Sequence, residues 1–457
     1  MNAAKRETFG GRRAAIMAMA GSAIGLGNIW RFPYMVGRNG GAAFIIVYLV
    51  AALLLCVPIF LSEGIIGKRA QLSTYGAMDK LAPGTPWKWL GILTFIAPLV
   101  IVSYYSVVGG WSIAYQVRAL SFAVSDAAMT RAEHSARFGA FITSTWTPLI
   151  WHTVFLGVTA LVVKFGIRKG IEQFTKTTTP LLFFLVLAIM TYSLTLPGSK
   201  AGIDYLLKPD FSKLTGEAML SAMGQAFFSL SIGVGCILTY ASYMKRGENL
   251  LATGVGTAIF DLLFALLAGF AIMPAVFAAG IEPDAGPGLI FETLPFIFSS
   301  MGQIHPVISH VISILFFTTI VFAALTSSVS MLEAGVAFLV DQKKISRSRA
   351  TLILFLGCWA LGVLCSLSFG PLKDFHILGN TLFDFCDKFS SNFVMTLGGL
   401  LFVLFVGWKM KKEDVYDELT CGGRLRYGKV FKPVYFLIRW VAPITIVVIF
   451  LSNILIR

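Results

Sequence analysis

Two glycine-rich runs carry the residue types most able to do chemistry. The first is Gly21-Ser22-Ala23-Ile24-Gly25-Leu26-Gly27-Asn28, and the second is Ser229-Leu230-Ser231-Ile232-Gly233-Val234-Gly235. Each Gly lowers helix stability by about 1 kcal/mol relative to Ala, so both runs are primed to unwind. An unwound stretch frees carbonyl oxygens that can coordinate a small cation. It also leaves half-helix N-termini, with their partial positive charge, facing an anionic group. Hydroxyls at Ser229, Ser231 and Thr326-Ser327-Ser328 add neutral oxygens to that set. The expected ligand is a cation together with a carboxylate-bearing solute. The competing structural roles are close helix packing through small residues and hydroxyls bonded back to their own helix.

The elements that hold these runs are membrane spans. Of 457 residues, 56% are hydrophobic and only 13% charged, against about 25% charged in a soluble domain. The mean hydropathy is +0.79. A soluble enzyme, a disordered chain and a nucleic-acid-binding module all fit poorly. Repeated apolar runs of about 20 residues are what a bilayer selects. Eleven such runs fall near 14–37, 41–66, 89–120, 148–166, 178–196, 217–244, 250–280, 304–340, 350–369, 380–408 and 432–455. Lys5, Arg6, Arg12 and Arg13 precede the first, but no small-residue cleavage site follows it, so it reads as a span and not a signal peptide.

Charge sets the expected orientation. The net charge of +14 comes from bases gathered in alternate loops, including Lys68, Arg69, Lys164, Arg168, Lys169, Lys245, Arg246, Lys343, Lys344, Lys409, Lys411 and Lys412. By the positive-inside rule these loops and the N-terminus are cytosolic in a plasma (inner) membrane, which leaves the C-terminus outside. Bases so dispersed form no exposed face for nucleic acid. The six cysteines show no CxxC or metal spacing, the five histidines no HExxH, and no intramembrane nucleophile–base pair marks an enzyme. The stretch 409–431 reads as an inner loop.

The broken runs occupy the first and sixth spans, which are corresponding positions of two five-span halves. That is the pattern of an inverted-repeat transporter with a site at the midplane. The expected fold is an all-α polytopic bundle with repeats at 1–196 and 197–408, then an inner loop and last helix at 409–457. The apolar, Pro-interrupted segment 286–303 reads as a re-entrant or capping hairpin, an extracellular lid. Gly170 and Pro180 frame either the start of the fifth span or a point of local unwinding.

AMAGSAIGLGNIWRFP (18–33), NGGAAFIIVY (39–48), GQAFFSLSIGVGCILTYASY (224–243) and ALTSSVSMLEAGVAFLVD (324–341) resemble the neurotransmitter:sodium symporters in a prokaryotic form. The resemblance spans nearly the whole chain and ends with the eleventh span, where many relatives have a twelfth. It implies two sodium ions and an amino-acid substrate. One ion would meet carbonyls of Gly21, Ile24 and Ala323 and hydroxyls of Thr326 and Ser327. The other would meet the Ala23 carbonyl, Asn28, Ser229, Asp261 and the substrate carboxylate. Asp261 stands where many relatives carry Asn. Its charge would replace the chloride that animal relatives bind there, so transport independent of chloride is expected.

The resemblance also implies a substrate pocket. Gly25 stands where monoamine carriers place an Asp, which favours an amino acid that brings its own carboxylate. That carboxylate would meet N–H groups of Leu26 and Gly27 and the Tyr105 hydroxyl. The ammonium would meet carbonyls of Ala23, Phe228 and Ser229 and the Ser231 hydroxyl. Ile101, Phe228, Val234, Ser327 and Met331 would form an apolar wall, and Ser22 and Val234 replace larger residues of some relatives. The expected substrate is a hydrophobic or aromatic L-amino acid. Arg31 and Asp387, the latter in LFDFCDKF (382–389), resemble an outer gating pair above Phe228 and Tyr105. Arg6, Asp341, Phe9 and Tyr243 resemble the inner gate. A sodium channel and a non-transporting sensor of the same fold are the alternatives; oligomeric state is not legible.

Overall fold

The computed structural model describes residues 7–281, 286–425 and 428–455. Among them nine helices are long and apolar enough to cross a bilayer. With the interrupted rods, the helices that position the site run in chain order as follows. They are α1 (Arg12–Ala23), α2 (Phe32–Arg38), α3 (Ala42–Ala70), α4 (Lys88–Leu120), α5 (Arg131–Thr143), α6 (Trp146–Lys164) and α7 (Ile167–Thr195). Then come α8 (Gly216–Ser229), α9 (Cys236–Ala241), α10 (Leu250–Ala278), α11 (Thr293–Gly302), α12 (Pro306–Lys343) and α13 (Arg347–Leu367). Last are α14 (Leu382–Lys388), α15 (Met395–Leu404), α16 (Lys412–Thr420) and α17 (Gly428–Ser452). α14 and α15 belong to one span, Leu382–Lys409.

Both glycine-rich runs do break their rods. α1 stops at Ala23, Ile24 turns extended (ψ 105°), and a wide π turn over Gly27–Arg31 starts α2. α8 stops at Ser229, and the chain passes Ser231 (φ 51°), Gly233 (φ 88°) and Gly235 (φ 74°) before α9 begins. Gly233 is required on two counts. Its φ is left-handed, and a Cβ there would run into the Met395 carbonyl oxygen of α15. The two breaks lie side by side, because the Ser231 hydroxyl donates to the Ser22 carbonyl at 3.2 Å and Gln225 Nε2 donates to the Gly27 carbonyl at 3.0 Å.

Continuous rods wall these breaks in. α12 packs along α4, α4 along α6 and α13, and α10 along α7, while α1 rests on α7, α10 and α12 and α9 rests on α3. In a bilayer such contacts come from close packing of small residues and not from water exclusion. In α3, Glu63 is fully buried in the run VPIFLSEGIIGKRA. Its carboxylate accepts the Gly233 N–H at 2.5 Å and the Leu238 N–H at 3.3 Å. Backbone unwound at this depth needs such acceptors, since lipid offers none.

Three expectations are corrected. The fifth span starts at Ile167, not 178, so Pro180 lies inside a helix instead of in its first turn. Thr177 and Thr178 hydroxyls bond back to Gln173 and Phe174 carbonyls there, and the helix tolerates the proline. The segment 286–303 is not a hairpin but a short 3-10 turn (Gly286–Leu289) followed by α11, which packs on α12 and α5. The stretch 409–431 contains α16, whose Val415 and Leu419 are buried and whose Asp414, Asp417 and Glu418 face Arg69. Polar composition masked that helix, because its apolar face is only two residues wide.

Candidate cation and solute site at the helix breaks

Two clusters of oxygen flank the break in α1. On one side Thr326 Oγ1 lies 3.3 Å from the Ile24 carbonyl and 3.0 Å from that of Ala323, and Ser327 Oγ lies 3.3 Å from the Ile24 carbonyl. Gly21 is packed here too, since a Cβ on it would stand 3.6 Å from Thr326 Cβ. These are neutral oxygens, a set suited to a hard monovalent ion and too weak for calcium, which favours carboxylates.

The second cluster carries a charge. Asn28 Nδ2 donates to Asp261 Oδ1 at 2.8 Å and to Ser229 Oγ at 3.1 Å, and Ser229 Oγ donates to Asp261 Oδ2 at 2.9 Å. Asn28 Oδ1 accepts the Gly25 N–H at 3.0 Å, which ties the cluster to the break itself. All three side chains are buried. A carboxylate at this depth is costly and calls for a counter-charge or a proton. Among the described residues no cationic side chain pairs with it.

Between the clusters lies a narrow cavity of about 30 Å³, lined by Ala23, Gly25, Leu26, Gly27, Ile101, Tyr105, Phe228, Ser229, Ser231, Val234, Ser327, Met331 and Met395. The Leu26 N–H points to the Tyr105 hydroxyl at 3.3 Å. Gly25 is tightly packed, because a Cβ would stand 2.5 Å from Ser327 Oγ and 3.2 Å from Tyr105 OH, so a side chain there would displace the Ser327 hydroxyl. Ser22 does not line the cavity. Its hydroxyl donates to Ser330 Oγ at 2.7 Å, and its carbonyl accepts from the cavity-lining Ser231 and Ser327.

A larger vestibule of about 350 Å³ opens directly above, bordered by Leu26, Gly27, Tyr105 and Phe228 below and by Arg31, Tyr104, Phe383 and Asp387 around its walls. Arg31 and Asp387 share this space but form no ion pair; the Arg31 guanidinium lies 4.8 Å over the Phe228 ring instead. The expected outer ion pair is therefore not formed in this structure. The opposite side is shut. Phe9 is fully buried between Tyr240 and Tyr243 in edge-to-face contacts at 5.8 and 6.1 Å, and its N–H donates to the Tyr243 carbonyl at 3.0 Å. The Tyr243 hydroxyl reaches Glu333 at 2.6 Å, and Glu333 pairs with Arg347. Asp341 accepts the Ser73 N–H at 2.6 Å. Arg6 lies outside the described residues.

Several site residues escaped the sequence reading. Tyr48 donates to Ser229 Oγ at 3.3 Å, Met395 lines the cavity, Glu63 holds the second break, and Glu333 with Arg347 ties down Tyr243 on the side away from the vestibule. Glu63 and Glu333 had a signal, since each is a lone carboxylate in an apolar run. Tyr48 and Met395 had none, as both look like ordinary span residues.

The profile of the sodium:neurotransmitter symporter family matches residues 6–136 and 142–456. A Bacillus subtilis protein described as an uncharacterized sodium-dependent transporter is 38% identical over 442 residues, 96% of this chain and 95% of the relative. A Haemophilus influenzae protein with the same description is 34% identical, covering 99% of each chain. The crystal structure of MhsT in complex with L-phenylalanine is similar with a TM-score of 0.89 at 40% identity, covering 98% of this chain and all of that one. The two breaks, their oxygen clusters and these likenesses lead to one conclusion: the chain belongs to the sodium:neurotransmitter symporter family and is a sodium-dependent membrane transporter, not an enzyme.

Proposed function

We propose that the protein imports a hydrophobic or aromatic L-amino acid together with two sodium ions, by alternating access and without chloride. The observation that carries this reading is the pairing of two oxygen clusters across a cavity whose side-chain wall is apolar. One sodium ion is held by carbonyls of Gly21, Ile24 and Ala323 with the Thr326 and Ser327 hydroxyls. The other is held by the Ala23 carbonyl, Asn28, Ser229 and Asp261, and by the substrate's own carboxylate. A ligand shared by ion and solute makes each stabilise the other's binding, and that coupling is reciprocal.

The α-carboxylate takes the N–H groups of Leu26 and Gly27 and the Tyr105 hydroxyl, displacing the bond between Leu26 and Tyr105. The ammonium takes carbonyls of Ala23, Phe228 and Ser229 and the Ser231 hydroxyl. The side chain lies against Ile101, Val234, Ser327 and Met331, where no charge meets a cationic or acidic group. The narrow cavity has to widen around it, and the flexible thioethers of Met331 and Met395 suit that movement. MhsT was crystallised with L-phenylalanine, which supports an aromatic substrate. Asp261 neutralises its sodium ion, so chloride has no charge to supply.

Eleven crossings put the N-terminus and the basic loops in the cytosol and the C-terminus outside, so the vestibule faces outward. Arg31 and Asp387 close it after binding, with Phe228 and Tyr105 beneath; Arg6, Asp341, Phe9 and Tyr243 part to release the solute inside. Each positive charge moving inward gains about 2.3 kcal/mol per 100 mV. The test is uptake of labelled amino acids into proteoliposomes under an imposed sodium gradient. Uptake should appear for apolar and aromatic amino acids and persist when gluconate replaces chloride. It should vanish in Asn28→Ala and Thr326→Ala. Full sodium-driven uptake by both variants would remove the ion assignments, and collapse in gluconate would remove the role given to Asp261.

A further inference from the structure

Four of the six cysteines sit singly, but Cys365 and Cys386 face one another. Their sulfurs are 4.0 Å apart, and both side chains are buried. Cys365 lies near the end of α13, and Cys386 lies in α14 next to Asp387 of the vestibule wall. A disulfide needs the sulfurs to close from 4.0 Å to about 2 Å. The two helices are already jointed here. The Ser368 hydroxyl donates to the Cys365 carbonyl at 2.7 Å and accepts the Phe383 N–H at 3.3 Å.

α14 is also set off from the rest of its span. It is only seven residues long, and a π turn over Phe389–Val394 separates it from α15. Such wide turns are points where a helix can flex. Arg31 and Asp387 stand unpaired across the vestibule, and a swing of α14 about that turn would carry Asp387 toward Arg31. α13 is packed against α4 and α6 and offers a fixed anchor.

We propose that Cys365 and Cys386 are a peroxide-responsive thiol pair whose disulfide pins α14 to α13 and holds the vestibule open. Hydrogen peroxide is small enough to enter the joint between α13 and α14. It oxidises one thiol to a sulfenic acid and is itself reduced to water. The second thiol then attacks that sulfur, the S–S bond forms, and the sulfenic oxygen leaves as a second water. A thiol reductant reverses the step. The effect on transport rests on the proposed function, whereas formation of the bond does not.

The test treats the full chain in proteoliposomes with hydrogen peroxide, then reads peptide mass and amino-acid uptake. The expected result is a joined peptide pair containing Cys365 and Cys386, lighter by two hydrogens than the two separate peptides. Uptake should fall with it and return on adding dithiothreitol. Cys365→Ser and Cys386→Ser should transport before treatment and show neither change, which separates the pair from methionine oxidation that dithiothreitol does not reverse. Absence of the joined peptide in protein that transports before treatment overturns the proposal. So does an unchanged uptake rate in fully joined protein, or an equal fall in the serine variants. Absence of uptake in every untreated protein would sink the transport reading instead, while the joined peptide would still report the pair.

Discussion

Asp261 shows how one side chain sets an ionic requirement. It is buried and hydrogen-bonded by Asn28 and Ser229, with no cationic partner among the described residues. A negative charge there calls for a counter-charge, which the proposed sodium ion would supply. In Asp261→Asn the amide keeps the size and one acceptor but drops the charge. Sodium-driven uptake by that variant should fall severalfold in gluconate and recover when chloride is restored, while the unmutated protein stays indifferent to the swap. Equal rates in both anions for Asp261→Asn would mean that the charge plays no part. Gly25 belongs to the same scale, since a Cβ there would have to displace Ser327 Oγ.

At the scale of elements, the breaks are maintained by partners elsewhere in the chain. Glu63 accepts two N–H groups from the unwound stretch between α8 and α9. Leaving a buried donor without its acceptor costs about 1–3 kcal/mol, so Glu63→Ala should lower the thermal midpoint in detergent clearly more than Glu63→Gln, which retains one acceptor. A second element responds to pH. His134 in α5 is buried against α11 and meets Ser299 Oγ at 2.8 Å, and burial pushes its pKa down from 6.5 to about 4. The unfolded state therefore takes up the proton first as pH falls. The stabilisation is complete above pH 6.5 and drains away toward pH 4. Thermal midpoints should drop across that window, and His134→Asn should lessen the drop; an equal drop in both proteins would assign it to other groups.

At the scale of the whole molecule the two sides of the site differ: a vestibule of about 350 Å³ lies over it, and Phe9 is plugged between Tyr240 and Tyr243 beneath it. The closed side is held by the chain of bonds from Tyr243 to Glu333 to Arg347. A hydrogen bond to a charged group is worth about 2 kcal/mol, roughly thirtyfold in an equilibrium. Tyr243→Phe removes that bond and should shift the balance toward the opposite opening. Cysteines introduced along the vestibule wall, at Ser391 for instance, should then react more slowly with an impermeant thiol reagent. An unchanged labelling rate would show that this bond does not hold the closed side.

Much of this was legible in the residues alone. Glycine density fixed where α1 and the α8–α9 rod break, because backbone propensity is local. Apolar run length revealed the spans, since a bilayer imposes a minimum length. The order of the four motifs carried the family. What only tertiary contact decided has a common physical cause: it depends on which atoms meet across distant segments. Tyr48 and Met395 enter the site through the packing of α3 and α15, Ser22 turns to Ser330 and not to the cavity, and Pro180 sits inside α7. Arg31 turns over the Phe228 ring and not to Asp387. Which partner a long charged side chain meets depends on where distant segments stand in space, and no local pattern of residues encodes that.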